Sequence, residues 1–66
     1  MLNAIKKARL IAGISQCELA RELNLTQGAV SLWERGKTKP SASKLKQLAQ
    51  ILDTTVDELL TEERAV

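Results

Sequence analysis

The chain has 66 residues, 44% of them hydrophobic and 27% charged, with a net charge of +2 and a single aromatic, Trp33. That length leaves room for one domain with a small core, and the composition fits a compact helical protein better than a disordered segment or a β-sandwich. With no histidine and one cysteine, Cys17, Ser-His and Cys-His catalysis, an internal disulfide and a metal site are not expected, nor is a cofactor.

Hydrophobic periodicity divides the chain into short helices and nothing reads as a strand. In the first helix Ile5, Ala8 and Ala12 form an apolar stripe with Ile11 on its flank; Asn3 is its cap and Gly13 its stop. "SQCELARELN" opens the second. Ser15 followed by Glu18 is a capping box, Leu19, Ala20 and Leu23 form the buried side, and Asn24 is a residue type able to take the left-handed conformation that ends a helix. Thr26 caps a third helix running through Arg35 and stopped by Gly36. Ser41 caps a fourth, with Leu45, Leu48, Ala49 and Leu52 inward. Thr55 and Glu58 make a second capping box ahead of Val56, Leu59 and Leu60, which closes an all-α, five-helix chain. Residues 61–66 are expected to fray. The whole, residues 1–66, reads as one domain.

Charge is distributed unevenly along this frame. Residues 1–40 carry seven Lys and Arg against Glu18, Glu22 and Glu34, whereas residues 41–66 carry three against five acids. From Arg35 to Lys46 there are Arg35, Lys37, Lys39, Lys44 and Lys46 and no acid, a local field suited to a polyanion, although solvated lysines give the same pattern. No apolar run reaches membrane-spanning length and no signal peptide is visible, so a cytoplasmic location is expected, with no membrane partner.

On a helical wheel of about 100° per residue, Ala29, Val30 and Trp33 fall together and face the core. The other side collects Gln27, Gly28, Ser31, Leu32 and Arg35. A helix that needs only solubility favours Glu–Lys pairs, and a helix-interior glycine costs up to about 1 kcal/mol relative to alanine. An amide, a hydroxyl and a methyl-bearing side chain on one exposed face are groups that read base edges in a DNA major groove.

The segment "GISQCELARELNLTQGAVSLWERGKTKPSASKLKQLAQILDTTVDELL" resembles the Cro and lambda-repressor type helix-turn-helix family: Gln, Leu-Ala, a tight turn, Thr, Val-Ser, a large apolar residue, Glu, Gly and Pro follow in order. The motif proper lies at about residues 15–35. The resemblance implies a lambda-repressor-like domain whose second helix crosses the DNA backbone and whose third, Thr26 to Arg35, is the recognition helix. It assigns base contact to Gln27 and Ser31; the wheel adds Leu32, able to pack on a thymine methyl where related recognition helices often carry a long polar residue, and Gly28, which leaves room for close approach. Phosphate contact falls to Ser15, Gln16, Arg35, Lys37, Thr38 and Lys39, with Gln16 also bracing Gln27. Arg9 and Glu34 match positions that form a structural ion pair. Asn24 departs from the family's usual glycine, and Leu10 and Ile11 from its usual charged residues in the first helix. Ile11 is expected to widen the core contact, and Leu10 to be either an isolated exposed leucine or part of a subunit contact. Cys17 should flank the second helix's stripe beside Ala20.

The reading that follows is a DNA-binding transcriptional regulator, a repressor similar to phage Cro-type proteins or restriction-system controllers, nucleoid-associated in a bacterial cell. The expected partner is a palindromic double-stranded operator, bound by a weak homodimer that meets through the helix 5 region at Val56 and Leu59; no small-molecule ligand is expected. The alternative is a protein-interaction module such as an antitoxin or coactivator.

Overall fold

In the computed structural model, which describes residues 3–64, the chain forms α1 (Ala4–Ala12), α2 (Gln16–Glu22), α3 (Gln27–Glu34), α4 (Ala42–Ile51) and α5 (Val56–Arg64), with no strand among the described residues. Helix α2 packs on α3, α1 on both α3 and α5, and α4 on α5. The last helix continues across residues 61–64, part of the tail expected to fray; residues 65 and 66 lie outside the described residues.

Each start has a local cause. The side chains of Asn3, Ser15, Thr26 and Ser41 accept hydrogen bonds from the N–H groups of Lys6, Glu18, Ala29 and Lys44, satisfying donors that an α-helix leaves without internal partners. Thr55 does the same for Glu58 N–H in α5. At Ser15 the box is reciprocal, because the Glu18 carboxylate accepts from Ser15 N–H at 2.9 Å. That hydrogen bond holds the Glu18 carboxyl below its ordinary range.

The helix ends share one device. After α2 the backbone turns left-handed at Asn24, φ 59°, and Leu25 N–H reaches back to Ala20 O at 2.8 Å. After α4 the same happens at Asp53, φ 54°, with Thr54 N–H to Ala49 O at 2.8 Å. These are Schellman closures, in which a short polar side chain tolerates a conformation usually left to glycine. The sequence marks Asn24 as such a stop; it gives no comparable warning at Asp53.

The core consists of Ile5, Leu19, Ala20, Leu23, Val30, Trp33, Leu48, Ala49, Leu52 and Leu59. Trp33 is packed inside, as its wheel position predicts. Several expectations are corrected. Ile11 is 77% exposed and Ala12 is also outside, so α1's inward side narrows to Ile5, the half-buried Ala8 and Arg9, which the resemblance pairs with Glu34. Leu10 is exposed, as both readings of it require. Ala29 is only partly buried, Arg35 caps α3 rather than extending it, and Leu59 belongs to the core instead of facing outward to a second subunit.

Candidate nucleic-acid interface

Helix α3 is fixed at both ends by neighbours. At its C-terminal end the Arg9 guanidinium grips Glu34 with two hydrogen bonds, Nε to Oε2 at 2.6 Å and Nη2 to Oε1 at 3.1 Å, while Nη1 donates to Ile14 O at 2.9 Å. The side chains of the pair are 9% and 3% exposed, so water screens this interaction little. Burial pushes the Glu34 carboxyl up, but hydrogen bonds from Arg9 and Gln16 outweigh it and hold the group below its usual range. The same Glu34 bond raises Arg9 further against its own desolvation. Nearby, Asn3 Nδ2 donates to Trp33 O at 2.7 Å, so the residue that caps α1 also satisfies an end carbonyl of α3.

At the N-terminal end a polar chain crosses from α2. Gln16 Nε2 donates to Glu34 Oε1 at 3.0 Å, Gln27 Nε2 donates to Gln16 Oε1 at 3.3 Å, and Cys17 Sγ donates to Gln27 Oε1 at 3.3 Å. Cys17 is thus an exposed side chain against Gln27 rather than a flank of the apolar stripe. Its place beside Gln27 has no signature in the sequence, nor has the second bond of Asn3.

With α3 so held, Gln27, Gly28, Leu32 and Arg35 are exposed and Ser31 is half-buried. Leu32 is 36% exposed. At Gly28 an added Cβ would meet only Thr26 Oγ1, at 3.7 Å, an ordinary contact. Nothing inside the protein requires a glycine there.

The residues expected to touch phosphate flank this face. Lys37, Thr38 and Lys39 are exposed beyond the turn at Gly36, and Arg35 caps α3 beside them. Ser15 is exposed at the start of α2, with its hydroxyl oxygen occupied by Glu18 N–H. Gln16 is half-buried, its amide engaged on both sides. Lys44, the fourth cation of the basic run, leaves the series: its Nζ donates to Leu23 O at 3.2 Å and serves the C-terminal end of α2.

The stretch of chain that builds this arrangement, residues 5–59, matches a family model described as helix-turn-helix. The chain belongs to the helix-turn-helix family. This helix-turn-helix chain is also 32% identical over 62 residues to the HTH-type transcriptional activator BcrR of Enterococcus faecalis; the match covers 94% of the chain and 30% of that relative. No solved structure gives a significant match. The relative's name ties that helix-turn-helix protein to transcription, and the chain shares its family. Among the described residues there is no helix long and apolar enough to cross a membrane and no acidic, cysteine or histidine cluster able to hold a metal.

Proposed function

We propose that this helix-turn-helix domain, spanning residues 1–66, reads a specific double-stranded DNA sequence by laying α3 in the major groove. The observation that carries the reading is the outer face of α3, whose Gln27, Gly28, Ser31 and Leu32 are explained neither by the core nor by helix stability. Gln27 reads an adenine edge through its amide, Ser31 adds a less discriminating hydroxyl, and Leu32 packs on a thymine methyl. Gly28 lets the helix approach closely. Ser15, Gln16, Arg35, Lys37, Thr38 and Lys39 hold the flanking phosphates and set the register.

One α3 spans only a few base pairs, so useful specificity calls for two copies about 34 Å apart on a palindromic operator. Leu59 is part of the core, and the helix 5 region leaves the half-buried Val56 beside acidic Asp57 and Glu58 for a subunit contact. The homodimer is therefore weak and completed on DNA. A domain that covers a promoter in this way represses by exclusion, as a Cro-type or controller protein does, in the cytoplasm at the nucleoid. The relative's name supports a second outcome of the same binding, activation. Selection of bound sites from random duplex DNA tests the reading. An enriched palindrome with half-sites one helical turn apart is expected; no enrichment would overturn it in favour of a protein-binding module.

A further inference from the structure

The orientation of the Gln27 amide is imposed by a chain of hydrogen bonds that starts at a charge. Glu34, gripped by Arg9, carries a carboxylate that can only accept. Gln16 must therefore turn its NH2 toward Glu34, at 3.0 Å, which leaves its carbonyl oxygen facing Gln27. An acceptor there fixes the next amide in turn, so Gln27 points Nε2 at Gln16, at 3.3 Å, and Oε1 the other way. On that other side stands the Cys17 thiol, 3.3 Å from Oε1. Its S–H donates to the oxygen; opposite an NH2 group that hydrogen would find no acceptor, and the sulfur could accept only weakly.

The geometry points to Cys17 as a positioning residue for base reading: the thiol closes a two-sided clamp on the Gln27 amide and so fixes the polarity that this amide presents to the groove. The inference rests on the proposal that α3 reads DNA. Clamped from both sides, Gln27 retains one N–H hydrogen and one oxygen lone pair. Side by side, these complement the N7 acceptor and N6 donor of adenine. Without the thiol only the Gln16 bond restrains the amide. It can then swing about its last torsion and offer its NH2 alone to the acceptor pair of guanine, which relaxes the choice between purines.

The test measures binding to the selected site and to duplexes carrying each other base pair at every position. The pair whose preference vanishes in Gln27→Ala is the one Gln27 reads. In Cys17→Ala the preference for adenine over guanine at that pair should fall about threefold, the scale of one weak hydrogen bond, while ratios at the other pairs hold. Cys17→Ser, which keeps a donor, should retain the preference. The inference is overturned if Cys17→Ala keeps the full preference, if it loses the same factor at every pair, or if Cys17→Ser loses as much as Cys17→Ala. A native protein that selects no sequence at all would overturn the DNA reading itself, and this inference with it.

Discussion

Replacing Gly28 with alanine should make the protein more stable and a poorer DNA binder at once. The added methyl meets only Thr26 Oγ1 at 3.7 Å, and the backbone there is ordinary helix. Exchanging glycine for alanine inside a helix gains up to about 1 kcal/mol, and less in a first turn, so about 0.5 kcal/mol is expected from backbone entropy alone. For a domain of this size that raises Tm by about 2 to 4 °C. The same methyl projects from the exposed side of α3, where the close approach to base edges proposed above would leave no space for it. Forcing an extra carbon into a close-packed contact costs about 1 to 2 kcal/mol, or a five- to thirtyfold loss of affinity for the selected site. Thermal denaturation followed by circular dichroism gives the first quantity, and fluorescence-anisotropy titration at fixed salt gives the second. Because the expected effects have opposite signs, lost binding cannot be blamed on unfolding. Gly28→Ala that binds its site as tightly as the native protein, or that melts earlier, refutes the argument that the glycine serves an external surface.

Other outcomes follow from the ion pair, the loop and the outer face. Glu34→Ala strands the Arg9 guanidinium in the interior and should cost about 3 to 5 kcal/mol, most of a small domain's stability, whereas Arg9→Met with Glu34→Leu should recover much of it in urea titrations. Because Glu34 titrates below the ordinary carboxylate value of 4.5 when folded, its stabilisation is complete above that value and is lost as pH falls through the depressed one; Glu34→Gln should flatten this acid limb, and an unchanged limb would assign it to other carboxylates. If a dimer neutralises about eight phosphates, log K falls with log salt at a slope near −7, and Lys37→Ala with Lys39→Ala in both subunits should make it shallower by about 3 to 4; an unchanged slope removes this loop from the backbone contacts. Replacing the contacted thymine by uracil should weaken native binding and matter little to Leu32→Ala; equal sensitivity of the two proteins would place Leu32 at the groove edge, packed within the protein.

What could be read beforehand was what local chemistry decides. Asn3, Ser15, Thr26 and Ser41 announce helix starts because a short side-chain oxygen followed by an apolar period has few other uses. Trp33 and Val30 announce the core through spacing alone. Where two helices meet at an angle, the linear pattern is silent. A wheel for α1 counts Ile11 with the apolar side and leaves Arg9 off it; the inward place of its guanidinium shows in the linear sequence only through the resemblance that pairs Arg9 with Glu34. Cys17 looks like a small apolar residue beside Ala20, and its neighbour Gln27 lies ten positions away across a turn. Lys44 looks like one more cation in a basic run until the fold brings Leu23 O within reach. Asp53 carries no sign of its positive φ because aspartate adopts that conformation only when the next residues close the turn.

The way α3 is held divides its residues into two kinds with separate fates. Trp33 through its carbonyl, Glu34 through its carboxylate and Val30 through its burial fix where the helix lies. Gly28, Ser31 and Leu32 take no part in any of this; no hydrogen bond ties their side chains to the body of the protein, and none belongs to the core. If the proposed base contacts are made, substitutions at these three positions can therefore accumulate with small effects on folding, each one changing which sequence is bound. The scaffold can be kept while its preference is rewritten, so two descendants of this chain could share a fold, residue for residue in the core, and answer to unrelated operators. Gln27 sits on the boundary between the two kinds, outward-facing yet tied to Gln16 and Cys17, and a change there would have to carry its neighbours on α2 with it.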